Sequence, residues 1–173
     1  MSLAPLMPST DEEIWRYSRI GELELDSFKL GKLSTKVDAS SAAKQIISST
    51  TNVVSRTSTD IFEDLNGQHA QLTAITTAKN QVVAEPIVIT HSLDESGVVA
   101  YSRLVVEANE NSEVTIVERF VSSANAKSLI VPVVDVRAAQ SARVTYVAIN
   151  ELGAATWQIG YQQAVGQRDS TMQ

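Results

Sequence analysis

The sequence predicts a mainly β chain: a parallel β-solenoid preceded by a small, partly helical N-terminal region. Three observations carry that prediction. First, RLVVEANENSEVTIVERF at 103–120 returns at an offset of 30 as VVDVRAAQSARVTYVAIN. Leu104 falls on Val134, Val106 on Val136, Ala108 on Ala138, Val114 on Val144, Thr115 on Thr145 and Val117 on Val147. Self-similarity at a period of roughly 20–50 residues marks a repeat architecture. Second, the corners between the paired runs, ANENSE and AAQSAR, hold no Asn-Gly or Asp-Gly and are too long for a two-residue hairpin. A chain that turns without reversing stacks each strand on its own repeat, about 4.8 Å away. Third, aromatic residues make up only 5% of the chain, while Val, Ile, Ala, Ser and Thr are plentiful. Small and β-branched side chains fill the narrow interior of a solenoid.

The elements follow in order. Residues 1–9 form a lead. Thr10 as N-cap and Glu13 three residues on make a capping box, and Asp11 and Glu12 favour the positive end of a helix dipole. Ile14, Trp15 and Tyr17 supply an apolar side, and Gly21 a stop. Residues 26–58 are polar, with a short helix expected around 41–48 and a strand around 51–55. Residues 62–79 read equally as helix or loop. From Gln81 the chain becomes a series of strand-like runs between polar bends. Pro86 and Pro132 cannot donate to a ladder and are expected at strand starts or edges. The division falls near residue 80, with 1–80 partly helical and 81–173 the start of the β-helix. On this register Val114, Ile116, Val144 and Tyr146 share one face of two stacked strands. GQRDSTMQ at 166–173 also lies over AAQSARVT at 138–145, a third approach to the repeat. With no capping element written after it, the expected reading is a piece of a longer protein.

Composition excludes several functions. Of 173 residues, 43% are hydrophobic and 20% charged, which fits one ordinary domain. A net charge of −6 offers nothing to a polyphosphate backbone, so no nucleic-acid partner is expected. The absence of cysteine removes disulfides, thiolate metal sites and a cysteine nucleophile. No run approaches about 18 apolar residues and no signal peptide is legible, so the expected setting is cytoplasmic, away from membranes.

Candidate chemistry is sparse. His69 and His91 each lack a second histidine or a carboxylate at metal-ligand spacing, so both read as structural or solvated. Asp94 and Glu95 beside His91 read as a polar turn before Gly97 rather than an acid–base dyad. Glu107, Glu110, Glu113 and Glu118 resemble a carboxylate cluster, and their side chains are expected on the outer surface. Phosphate-loop, dinucleotide-binding and nucleophile-elbow motifs are absent. No residue is assigned a catalytic, cofactor-binding or metal-binding role. The residues favour a structural or assembly protein. A generic β-solenoid interaction protein is the alternative, and a carbohydrate-active β-helix enzyme, which needs an acidic groove, is the weaker one.

Three segments resemble the SufB/SufD family of the SUF iron–sulfur cluster assembly machinery, and its SufD branch in particular. EEIWRYSRIGEL at 12–23 is similar to the family's acidic–aromatic–Arg–Tyr helix. AKNQVVAEPIVITH at 78–91 resembles the lead into its β-helix, and NSEVTIVERF at 111–120 its first coils. Residues 25–79 depart from the family pattern. The resemblance implies a right-handed parallel β-helix that pairs with a SufB-like subunit through β-helix edges. It also implies a SufC-like ATPase docked on a C-terminal helical domain, and a non-catalytic scaffold role in building a nascent cluster. The family's cluster and ATPase-contact residues have no matching positions here. The iron–sulfur cluster is therefore expected at the level of the intact complex, and no cofactor in this chain.

Overall fold

Two sheets built from stacked, in-register strands face each other across a narrow interior. The computed structural model describes residues 7–50 and 58–173. Three single 3₁₀ turns (Glu13–Trp15, Ile20–Glu22, Leu25–Ser27) lead into β1 (Lys29–Leu30), β2 (Ser34–Asp38), α1 (Ser41–Lys44), β3 (Ile47–Thr50) and α2 (Ile61–His69). Then follow β4 (Gln71–Thr76), β5 (Ile87–Ser92), β6 (Val98–Ala108), β7 (Glu113–Val121), β8 (Leu129–Ala138) and β9 (Arg143–Glu151). The last elements are β10 (Trp157–Gln158), β11 (Tyr161–Gly166) and β12 (Thr171–Met172). One sheet runs β10-β8-β6-β4-β3, with β1 on β6 and β11 on β8; the other runs β12-β9-β7-β5-β2. Together they make a β-solenoid of roughly three turns.

The 30-residue repeat is the inter-coil register itself. Leu104 pairs in parallel with Val134 and Ala108 with Ala138, while Val114 pairs with Val144 and Thr115 with Thr145. The final segment follows too, Gly166 on Ala138 and Thr171 on Arg143. The parallel ladder reaches back to Gln71, which stacks on Ser102. At the N-terminal end, β2 pairs antiparallel with β5 and β3 antiparallel with β4, closing both sheets.

Each coil turns one corner through a residue in the left-handed region: Asn80, Asn111, Ser141 and Asp169, with φ of 61°, 63°, 58° and 62°. Asn and Asp tolerate this conformation better than other residues with a Cβ. The corners stack, since Asn80 N–H donates to Glu110 O and Asn111 N–H to Gln140 O. Asn111 Nδ2 also donates to Asn80 Oδ1 at 3.2 Å. At another bend Gly153 passes so close to the coil before it that a Cβ would lie 2.3 Å from Ser123 O.

Several local expectations are corrected. No α-helix forms over 10–21; the chain takes isolated 3₁₀ turns. The Ser18 hydroxyl donates to Trp15 O and accepts from Ile20 N–H, competing with helical bonds. The capping arrangement is displaced by one residue, with Ser9 N–H donating to Glu12 Oε1. Around 41–48 only one helical turn forms, capped by the Ser40 side chain, before β3 begins at Ile47. The strand expected at 51–55 lies outside the described residues. Over 62–79 the ambiguity resolves into α2, capped by Asp60, and then β4. Pro86 opens β5 as expected, but Pro132 lies inside β8. It is tolerated because the neighbouring strand breaks there: β10 ends at Gln158, β11 starts at Tyr161, and Gly160 sits against the proline ring.

The outer face of the first sheet is covered by the N-terminal segment and α2. Trp15, Ile20, Leu23, Phe28 and Phe62 pack there on Val99, Tyr101, Leu129 and Val131. Each such side chain contributes roughly 1.5–3 kcal/mol by leaving water. Among the described residues no helix is long and apolar enough to cross a membrane.

Candidate functional site

Inside the solenoid, alternation selects one residue in two from every strand, and these inward positions repeat a simple order. In β5 they read Ile87, Ile89, His91; in β7, Val114, Ile116, Glu118, Phe120. One apolar cluster gathers Ile87, Ile89, Leu104, Val106, Val114, Ile116, Val134 and Val136. A second gathers Leu33, Leu93, Val98, Ala100, Phe120 and Ile130. Between them lie His91, Ser102, Glu118 and Pro132, which belong to neither, with Thr35, an exposed residue of β2, at the rim. The interior is two apolar compartments divided by a polar layer.

Hydrogen bonds thread that layer across four strands. Thr35 Oγ1 on β2 lies 2.9 Å from His91 Nδ1 on β5. His91 Nε2 lies 2.9 Å from Glu118 Oε1 on β7, and the Tyr146 hydroxyl on β9 donates to Glu118 Oε2 at 2.6 Å. The His91 and Glu118 side chains are 3% and 1% exposed. His91 also stacks on Phe120, ring centroids 5.1 Å apart. Phe120 is the residue directly opposite His91 in the ladder, and Ile116 is opposite Tyr146. The string therefore steps back two residues at each coil. Burial pushes the Tyr146 phenol above the usual tyrosine range, and the Glu118 charge and hydrogen bond push it further the same way. The tyrosine ring lines two cavities of about 190 and 370 Å³, between β9 and the strands that follow it.

Both ring nitrogens of His91 and both carboxylate oxygens of Glu118 have partners within the string, and this central pair is sealed from solvent. A proton acid or base needs a reacting group within hydrogen-bond reach. Here the reach is filled by Thr35, Glu118 and Tyr146, so the geometry suits holding coils in register rather than turning over a substrate.

The structure corrects the expectation for the glutamates. Glu110 and Glu113 are exposed and Glu107 is half-buried, salt-bridged to Arg137 at 2.9 Å, but Glu118 points inward. Glu113 and Glu118 are five residues apart on one strand, so alternation alone puts them on opposite faces. His91 is buried rather than solvated, and it does have a carboxylate partner, one coil away. Asp94 instead accepts the Ser123 N–H at 2.8 Å, consistent with a turn. His69 is exposed at the end of α2, its ring 5.8 Å from that of Tyr101. Among the described residues no group of three or more His, Cys, Asp or Glu is placed to hold a metal ion.

A second buried charge lies on the opposite face of the sheet. Arg103 Nε and Nη2 both donate to Asp135 Oδ2, at 3.0 and 2.6 Å. Beside it Asn66 of α2 donates from one amide nitrogen to Ser102 O and Val131 O, clasping β6 and β8 from outside.

No curated protein and no solved structure matches the chain. Over residues 90–173, from the second half of β5 to β12, the sequence matches the family model described as SUF system FeS cluster assembly, SufBD core domain. Over these residues the chain is similar to the SufB/SufD family of the SUF system, and the match does not separate SufD from SufB.

Proposed function

We propose that the chain acts as a SufD-like, non-catalytic scaffold subunit of a cytoplasmic iron–sulfur assembly complex, with SufB-like and SufC-like partners. The observation that carries this reading is the coincidence of the family match with the in-register coils. Residues 90–173, the part that matches, lie within the part in which strand stacks on strand in parallel register. A solenoid presents a regular surface and long strand edges, which suit holding other proteins in fixed relation. The sealed polar string and the lack of a nucleophile motif fit a subunit that organises rather than transforms. The nascent cluster is then the cargo of the whole complex.

Co-expression with SufB-like and SufC-like proteins tests this. The expected result is a stable complex on size exclusion, with cluster absorbance after anaerobic reconstitution of the complex and none on the chain alone. A chain that ignores both partners, or that alone holds a stoichiometric cluster, overturns the scaffold reading.

A further inference from the structure

β2 is the end strand of its sheet: it pairs antiparallel with β5, and among the described residues no strand pairs with its other edge. Four of its five residues, Ser34, Thr35, Lys36 and Asp38, are exposed. Five residues of unpaired edge present about 17 Å of main-chain donors and acceptors, a template for another strand. The two faces along that edge differ. Thr35 reaches inward to His91 and Val37 packs on the first apolar cluster, so alternation puts Ser34, Lys36 and Asp38 outward.

The outward row carries opposite charges at neighbouring positions, Lys36 and Asp38. That pattern is self-complementary. When two identical strands pair antiparallel about a two-fold axis, inward residues must meet inward ones, so the axis passes through a residue. Centred on Lys36, the pairing sets that lysine against its own copy; centred on Asp38, it sets two carboxylates together. Centred on Thr35, it leaves Lys36 opposite Ser34. Only the pairing centred on Val37 brings Lys36 opposite Asp38, and it does so twice. Opposite charges across a ladder stabilise it and like charges destabilise it. Lys36 and Asp38 of one strand already touch, at 2.8 Å, with side chains 75% and 64% exposed. An ammonium has three donors and a carboxylate several acceptor sites, so each takes a second partner and the four charges alternate in sign. On the inner side Val37 meets Val37 and Thr35 meets Ala39. Val37 and Ala39 both pack on the first apolar cluster, so the pairing extends that cluster across the axis.

We infer that β2 joins a second copy of this chain edge to edge, about a two-fold axis through Val37, making one sheet from two solenoids. Main-chain bonds supply the grip, and the Lys36–Asp38 alternation fixes both the register and the choice of partner. The contact uses the same edge on both copies, so it closes at two. The paired edge is short for an interface and its charges are exposed. The dimer is therefore reversible and weakens as salt rises. The inference stands apart from the iron–sulfur reading, since it uses only residues 34–39 and their strand edge.

The test is sedimentation velocity of the 173-residue chain at low salt, over a hundredfold range of concentration. A monomer–dimer equilibrium is expected, with slower amide exchange over 34–39 in the dimer. Lys36→Glu and Asp38→Lys each set like charges across the axis, and each is expected to weaken association at least tenfold. Mixed in equal amounts, the two variants are expected to recover the dimer, because the carboxylates of one then face the lysines of the other. The ion pair within one strand cannot produce that recovery. Lys36→Gln removes the charge without reversing it and is expected to weaken association severalfold, which covers a fold disturbed by the reversals. A chain that stays monomeric, association unchanged by the three variants, no recovery on mixing, or slower exchange only outside 34–39 each overturns the proposal.

Discussion

The solenoid buries two hydrogen-bonded side-chain pairs, one inside and one on its outer face, and the two differ in what surrounds them. His91–Glu118 lies inside, between two apolar compartments, and Tyr146 completes its bonds. Arg103–Asp135 lies on the outer face near α2, and Asp135 remains 13% exposed. Both join one coil to the next. The inner pair has no route to water, so its worth depends on every member being present. The outer pair keeps a path to solvent, so losing one partner can be relieved. Position relative to the two faces, more than distance, sets what each pair contributes.

The largest effect comes from placing charge where the interior has no partner for it. Val114 is 1% exposed in the first apolar compartment, with Ile116 beside it and Val144 one coil away. Val114→Asp is expected to cost about 4 kcal/mol or more, close to the whole stability of a domain. Thr115→Asp, on the opposite and half-buried face, is expected to cost about 0.5–1 kcal/mol. Chemical denaturation of the two variants checks this. Equal losses would mean that the interior accepts a carboxylate anywhere, and that the polar layer is not special.

Breaking the pairs themselves sharpens the comparison. Glu118→Ala strips His91 and Tyr146 of their shared acceptor and is expected to cost about 3–5 kcal/mol. Arg103→Ala, which leaves a carboxylate near solvent, is expected to cost about 1–3 kcal/mol. Urea midpoints on matched samples decide the order. A reversed order would make the clasp near α2 the stronger tie between coils.

How much of this was legible follows from the same two faces. The inward set Val114, Ile116, Val144 and Tyr146 was readable because the repeat and the period of two agree there. Glu118 departs from the expected outer surface because alternation cannot send all four glutamates the same way: it follows Val114 and Ile116 at the same spacing and shares their inward parity. The pairing of His91 with Glu118 needs the coil offset less two residues, and Glu118 with Tyr146 the same. Neither is visible as a local motif. The N-terminal turns were illegible for a different reason. Trp15, Ile20, Leu23, Leu25 and Phe28 follow no single helical face, because the surface of the first sheet sets their spacing.

Alkaline titration separates the layer from its surroundings by a smaller amount. Burial holds the Tyr101 phenol up at about 12, and Tyr146 is raised further by burial and by Glu118. A folded-state value above the unfolded one, about 10, means that ionisation favours unfolding. Stability is therefore full below about pH 10 and falls as the pH rises through 12. Tyr146→Phe is expected to cost about 1 kcal/mol at neutral pH and to make that alkaline decline shallower. Thermal melts from pH 8 to 12 measure both. An unchanged decline would assign the alkaline loss to Tyr101 and leave Tyr146 outside the network's energetics.

The smallest effect lies at the corners, where both faces meet the turn. Four stacked residues hold left-handed backbone there, and Ser141 is the only one of them that is neither Asn nor Asp. Serine pays more for that conformation than asparagine does, and its hydroxyl gives less local compensation. Asn80 and Asn111 already join through their side-chain amides, and Ser141 continues the same corner in the next coil, where its N–H donates to Arg168 O. Ser141→Asn extends the amide ladder by one rung without touching either buried pair. It is expected to stabilise the chain by about 0.5 kcal/mol, in the range of substitutions that relieve backbone strain at compatible sites. The gain is expected to add to the losses from Glu118→Ala and Arg103→Ala, because the corner shares no partner with either pair. Non-additivity with Glu118→Ala alone would show that the inner string reaches the corner, and the two faces would then be one network.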